Sequence, residues 1–205
     1  MIGLILKDLY NLKKQTKTYL ILLIFYYILG IANEDFTMVG SMVALLAAMA
    51  PITAMAYDER SKWDKYALTM PISRVNIVAS KYLLSIIFLL IAFISTMLFS
   101  LLFSSLPLSE GVLVNLATLS TGVLIVSVVF PILFKFGVEK GRILMMVVLF
   151  SPTALIVLLS KLDFKMPIVD EELIKLLLYI SPAISLAIFA ISIMISVSIY
   201  NKKEF

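Results

Sequence analysis

The chain has 205 residues, of which 62% are hydrophobic and 15% are charged, and its mean hydropathy is +1.09. A soluble domain of this size exposes too much surface to water for so apolar a composition, so a polytopic membrane protein is predicted. The absence of cysteine and histidine excludes disulfides, the usual zinc sites and histidine acid–base catalysis. The net charge of +4 is better explained by membrane topology than by a nucleic-acid partner.

Residues 1–18 are predicted to form an amphipathic helix in the membrane interface, facing membrane lipids. Apolar residues recur there at helical spacing, while the polar ones, Lys7, Asp8, Asn11 and Lys14, fall mainly on the other side. No small-residue cleavage site follows the first apolar run, so an uncleaved anchor is expected rather than a signal peptide. Apolar blocks then predict spans at about 19–32 and 36–56, separated by the acidic turn 33–35.

The segment that follows the second span, residues 57–73, is predicted to be a short charged helix outside the hydrocarbon core. Asp58–Lys62 and Arg60–Asp64 are spaced for ion pairs along it. Pro71 ends this helix, and Ser73 is placed to cap the next one. One apolar face is predicted, made up of Trp63, Tyr66, Ala67 and Met70.

The remainder of the chain predicts four more spans, which makes an all-α single domain over 1–205 with six transmembrane helices. The third span covers 74–103, with Lys81 snorkelling to the interface, and the fourth covers 112–134 after a loop at 104–111. A basic loop at 135–142 precedes the fifth span, 143–160, which a Ser151-Pro152 break interrupts. After a polar stretch at 161–172, the run 173–200 is expected to break at Ser181-Pro182 into an interfacial or re-entrant helix and the sixth span.

The distribution of basic residues predicts the orientation. All but three of the 17 lysines and arginines lie in the N-terminus, 57–82, 135–142 and the C-terminus. By the positive-inside rule, these segments and both termini are expected in the cytoplasm.

Two interpretations of segment 57–73 stand at this point. It could be a topogenic interfacial loop with Trp63 anchored at the headgroups, or a protein-docking surface. The three acidic and three basic residues of 57–66 favour docking, because a loop that binds lipid should be mostly basic.

Small and hydroxylated residues recur along several spans and also allow two interpretations. They fit helix packing through small residues better than a path for cargo. In the second span, Gly40, Ala44 and Ala48 predict a close helix contact, for which an interface between two permeases is one candidate.

Two runs, GLILKDLYNLKKQ and DERSKWDKYALTMPISRVNIVASKY, resemble the permease subunits of type-2 ABC exporters. The resemblance is greatest to the small bacterial group that exports bacteriocins, antibiotics and phenol-soluble modulins. The family pattern has an acidic residue, a tryptophan, (L/M)P(I/V)SR and a lysine-tyrosine pair, which Glu59, Trp63, 70–74 and 81–82 match.

The resemblance implies a bacterial plasma-membrane permease that pairs with a second permease copy or paralogue and with two cytosolic ABC ATPase subunits. The N-terminal helix would be the interfacial elbow, and 57–73 would contain the coupling helix. The implied ATPase contacts are Asp58, Glu59, Arg60, Lys62, Trp63, Asp64, Tyr66, Ala67, Met70 and Pro71.

The chain has no motor or catalytic apparatus of its own. It contains no GxxxxGK[ST] phosphate-binding loop, so ATP and Mg²⁺ would be bound by a partner subunit. No charge is predicted at mid-span for ion coupling, and the serines have no histidine or cysteine to activate them. The prediction is a non-enzymatic subunit of an ATP-driven exporter, whose cargo is an amphipathic or hydrophobic peptide toxin, bacteriocin or antibiotic. The alternative is a non-transporting membrane scaffold or immunity protein.

Overall fold

The computed structural model describes residues 1–33, 35–103, 107–161 and 171–203, and within them it contains eight α-helices and no strand. Five of these helices contain a stretch long and apolar enough to cross a membrane, namely α2, α3, α5, α6 and the part Leu176–Lys202 of α8. The all-α membrane architecture is therefore confirmed, whereas the fifth span, expected at 143–160 within α7, and with it the total of six, stays a prediction. The helices are α1 (Ile2–Lys13), α2 (Thr16–Asn33), α3 (Phe36–Arg60), α4 (Trp63–Ala67), α5 (Arg74–Phe103), α6 (Leu108–Phe136), α7 (Val138–Lys161) and α8 (Glu171–Lys202).

Helix α3 lies at the centre of the bundle, packed against α5 and α6 through small residues. A Cβ added at Gly40 would lie 3.3 Å from Thr118 Cγ2, and one added at Gly122 would lie 2.6 Å from Leu89 Cδ2 and 3.6 Å from Ala44 Cβ. The close helix contact predicted for the second span is therefore present. It joins α3 to α6 within one chain, rather than one permease to another.

A buried hydrogen-bond network joins α5, α6 and α8 and starts from a proline. Pro131 has no N–H to donate to the carbonyl of Ser127, four residues earlier. That carbonyl instead accepts from Ser192 Oγ of α8 at 2.6 Å. The hydroxyl of Tyr82 lies 2.7 Å from both Ser192 Oγ and Ser196 Oγ. These contacts support the packing interpretation of the serines.

The break predicted at Ser181-Pro182 does not occur, and α8 is one continuous helix. Pro182 cannot donate to the carbonyl of Leu178, but the hydroxyl of Ser181 does so at 2.9 Å. Helix α7 likewise passes through position 152 as a helix. The serine beside the proline was the overlooked signal in α8.

The basic segments predicted to share one side lie together at one end of the bundle. Contacts there join the N-terminal helix α1, the end of α3, the start of α5, the start of α7 and the end of α8, and we call this end of the bundle the α4 end. The basic loop expected at 135–142 is largely helical, because α6 extends to Phe136 and α7 begins at Val138. Only Gly137 separates the two helices. Glu34, part of the loop at 104–111 and most of the polar stretch at 161–172 lie outside the described residues.

Candidate functional site

The connection between α3 and α5, residues 57–73, is shorter and more tightly folded than predicted. Helix α3 continues to Arg60, Lys62 adopts a left-handed conformation (φ 53°), and α4 is only one turn long. Because the helix breaks at Ser61 and Lys62, the predicted pairs Asp58–Lys62 and Arg60–Asp64 do not form in the described chain. The capping role of Ser73 is confirmed, since its Oγ accepts from the N–H of Asn76 at 3.2 Å. We call this stretch the connecting segment.

Asp58 belongs to a buried ionic cluster formed by Lys7, Asp8, Asp58 and Lys81. Lys81 Nζ lies 2.7 Å from Asp8 Oδ2 and 2.5 Å from Asp58 Oδ2, and Lys7 Nζ lies 2.6 Å from Asp58 Oδ1. Asp8 is fully buried and only Lys7 is partly exposed. The prediction that Lys81 snorkels to the interface is therefore wrong, because its ammonium is paired inside the protein.

Helix α1 buries Asp8 against the bundle together with two leucines, whereas the sequence placed Asp8 on the side opposite the apolar residues. The buried positions of α1 are Leu4, Asp8 and Leu12, four residues apart on one face. Its exposed apolar residues are Ile2, Leu6, Leu9 and Tyr10. A helix with exposed apolar residues suits the membrane interface, and the protein itself pairs the charges of Lys7 and Asp8.

The apolar face predicted for residues 63–70 is divided between two sides. Trp63 packs towards the core, with Lys7 Nζ 4.4 Å from the centre of its ring, and Ala67 is completely buried. Tyr66 and Met70 are 63% and 44% exposed. The segment thus has an inner side that holds it to the bundle and an outer side open to a partner.

The inner side also holds the end of α8. The hydroxyl of Tyr200 donates to Asp64 Oδ1 at 3.0 Å, and Arg74 Nη1 donates to the carbonyls of Tyr200, Asn201 and Lys203 at 2.6–3.2 Å. Arg74 thereby satisfies carbonyls that the helix end leaves without an intrahelical donor. Burial raises the pKa of the Asp64 carboxyl, while the bond from Tyr200 and the charge of Lys203 act against that rise.

Glu59 connects the connecting segment to a third helix, because its Oε2 accepts from the backbone N–H of Val138 at the start of α7. A cavity of about 80 Å³ lies between these contacts, and its lining combines apolar residues with Asp58, Glu59, Asp64, Lys81, Tyr200 and Lys203. In the described chain no group of three or more acidic side chains is arranged to hold a metal ion.

The predicted partner contacts therefore fall into three groups. Asp58 and Ala67 are buried and cannot reach a partner without leaving the bundle. Trp63 and Asp64 are partly buried and tie the segment to α1 and α8. The exposed positions are Glu59, Arg60, Lys62, Tyr66, Met70 and Pro71.

The structure defines a multi-pass membrane protein whose charged groups are concentrated at one end of a helical bundle. A family model described as "ABC-2 family transporter protein" matches residues 3–201. The chain therefore belongs to the ABC-2 transporter family and is a membrane-spanning transport subunit. A comparison with curated proteins finds no match.

Proposed function

We propose that this chain is the transmembrane subunit of an ATP-driven exporter and that a separate ATPase subunit docks on the outer side of the connecting segment. The two-sided construction of the segment carries this proposal. Its inner side is fixed to α1, α5, α7 and α8, and its outer side is open. A surface built in this way can pass a load from a soluble partner to several helices at once.

The outer side has the chemistry of a protein interface. Tyr66 and Met70 are exposed, and both signs of charge surround them. Aromatic residues, methionine and arginine are enriched in protein interfaces, whereas lipid-binding segments are mainly basic.

A groove beside this surface offers a place for an anchoring side chain of the ATPase. Its volume is about 330 Å³, and it runs between the start of α1 and the turn that follows α4. Its walls include Leu4, Trp63, Met70, Pro71 and Ile72. Interface energy concentrates where one large side chain fills such a pocket.

The proposed energy source is based on the sequence, and the proposed assembly on the family to which the chain belongs. Its sequence has no phosphate-binding loop of the GxxxxGK[ST] form, so ATP and Mg²⁺ would be bound by the partner. The proposed complex contains two ATPase subunits and a second permease copy or paralogue. The basic α4 end and both termini would face the cytoplasm of a bacterium.

The proposed cargo is amphipathic or hydrophobic, such as a peptide toxin, a bacteriocin or a lipophilic antibiotic. This proposal is supported by the apolar character of the spans. The buried charges of the ionic cluster lie at the α4 end of α3 and α5, away from the middle of the spans, and they balance one another. Ion-coupled transporters normally place ionisable groups at membrane depth instead.

The test is purification of the tagged chain from its own membrane in detergent. We expect an ABC ATPase with a phosphate-binding loop to co-purify and to hydrolyse ATP. The double variant Tyr66→Ala/Met70→Ala should weaken this association by roughly ten- to a hundredfold, because each side chain contributes an interface anchor of about 1 kcal/mol or more.

The pair Tyr179→Ala/Met194→Ala is a matched control, because the same residue types are exposed on α8. Normal association and transport in the Tyr66/Met70 variant would refute the docking surface. A preparation without any ATPase would instead favour the non-transporting scaffold or immunity protein.

A further inference from the structure

The contact between Glu59 and α7 joins two helix ends that are distant in sequence. Glu59 lies in the last turn of α3, beside Asp58 of the ionic cluster, and Val138 is the first residue of α7. The N–H of a first helical residue has no acceptor within its own helix. A carboxylate there also interacts favourably with the positive end of the helix dipole.

The start of α7 is a one-residue junction that accepts only glycine. Gly137 has φ 81°, a conformation that other residues rarely adopt. Its N–H donates to the carbonyl of Leu133 at 2.9 Å, and its carbonyl accepts from the N–H of Gly141 at 3.0 Å. A Cβ at Gly137 would lie 2.6 Å from Glu59 Oε1. The glutamate therefore rests directly on the junction.

The first turn of α7 is also pressed against α6. A Cβ at Gly141 would lie 2.6 Å from Leu133 Cδ2 and 3.6 Å from Leu133 Cα. This close approach and the single linking residue hold the end of α7 near α6. These two features join α7 only to α6, whereas the bond from Val138 to Glu59 joins α7 to the connecting segment.

We propose that Glu59 is a positioning residue that carries movement of the connecting segment to α7, with Gly137 as the pivot. The proposal rests on the proposed function for the source of that movement. Asp58 and Glu59, adjacent in sequence, then serve different helices. Asp58 holds α1 and α5, and Glu59 holds α7.

The rival explanation is that Glu59 only caps α7, and a proline at position 138 separates the two. Proline is favoured at the first helical position and has no N–H, so Val138→Pro removes the donor that needs a cap. The double variant Glu59→Ala/Val138→Pro therefore removes both the tether and the one N–H of α7 that Glu59 caps. Glu59→Gln keeps an acceptor oxygen. Glu139→Ala removes an exposed acid from the same first turn and is the matched control.

The first measurement uses the chain alone in lipid nanodiscs. Because the chain has no cysteine, spin labels on Lys65→Cys and Lys140→Cys report the distance between the connecting segment and α7. We expect a single narrow distribution in the otherwise unaltered chain, in Glu139→Ala and in Glu59→Gln. It should broaden in Glu59→Ala and in the proline double variant. An unchanged distribution in Glu59→Ala would overturn the proposal whatever the ATPase does.

The second measurement is transport per ATP hydrolysed in the complex with the ATPase. We expect Glu59→Ala and the proline double variant to lower the amount transported per ATP by about two- to thirtyfold, a range typical of mutations along a coupling path. Full recovery in the double variant would mean that Glu59 is only a cap. If the unaltered chain shows no ATP-driven transport, the proposed function fails, while the distance measurement still decides whether Glu59 holds α7.

Discussion

Replacing Lys81 with methionine tests the ionic cluster most directly. Methionine keeps most of the volume of the side chain and removes its charge. The cluster then changes from two lysines and two aspartates, a formal charge of zero, to a net charge of −1. Asp8, which is fully buried, would keep only Lys7, whose Nζ is 3.1 Å away and partly exposed.

The expected cost follows from the distances and burial. At an effective dielectric constant of about 20, each contact of Lys81 with a carboxylate is worth about 6 kcal/mol before desolvation. Desolvation offsets much of that attraction, and removing one partner of a buried pair destabilises a protein by about 3–5 kcal/mol. We expect Lys81→Met to fall in that range. Lys7→Met should cost only about 1–2 kcal/mol, because Lys7 is partly exposed and both carboxylates retain Lys81.

The assay is the free energy of unfolding in mixed micelles, measured by titration with SDS. Lys81→Met/Asp58→Asn restores a formal charge of zero, so the double variant should recover about 2 kcal/mol relative to Lys81→Met. Lys13→Met, at an exposed position of α1, is the control and should change little. If Lys81→Met stays within about 1 kcal/mol of the unaltered chain, or the double variant shows no recovery, the cluster does not hold these helices together.

Three other changes address the remaining contacts. Tyr82→Phe removes a hydroxyl that contacts two serines of α8 and should lower the free energy of unfolding by about 1 kcal/mol in the same titration. Arg74→Lys replaces the guanidinium, whose Nη1 donates to three carbonyls, with a shorter side chain that ends in an ammonium, so amide hydrogen exchange at the end of α8 should quicken. Asp64 has a raised pKa, so the folded state binds its proton more tightly than the unfolded chain does. The stability that protonated Asp64 contributes is therefore fully present below the pKa of Asp64 in the unfolded chain, and it is lost as the pH rises through its pKa in the folded state. Asp64→Asn should flatten that dependence in unfolding measurements from pH 4 to 7 and keep an acceptor for Tyr200, whereas a steeper loss of stability in the variant would contradict this.

Local signals predicted several helix boundaries well. Helix α5 runs over the predicted residues, 74–103, because an apolar block and the Ser73 cap both lie within a few residues of its start. The effects of prolines were harder to predict, and the break expected at Ser181-Pro182 does not occur. The hydroxyl of Ser181 repairs the helix within one turn, and Ser192 reaches the carbonyl freed by Pro131 from another helix. Only the contact of Ser181 could be predicted from the sequence, because Ser181 is adjacent to Pro182, whereas Ser192 is far from Pro131 along the chain.

The ionic cluster was harder to predict because its members are far apart in sequence. Lys81 contacts residues 23 and 73 positions away. The helical spacing of α1 placed Asp8 on its polar face, but it did not identify Lys81 as the partner that this face meets. A lysine in the second turn of an apolar span needs a neutralising partner, and an aspartate in an interfacial helix can supply one. That requirement was the available signal.

Three charged residues of the connecting segment, and Arg74 directly after it, make contacts in different directions, and their arrangement bears on how a load would spread. Asp58 reaches α1 and α5, Glu59 reaches α7, and Asp64 and Arg74 reach α8. A flexible loop would absorb a push from a partner in its own backbone. Only 13 residues of this segment lie between α3 and α5, and contacts hold it at several points, so displacement of its outer side must move these helices or break an identifiable contact. Each contact can be removed separately, so the contribution of each helix to transport can be measured one at a time.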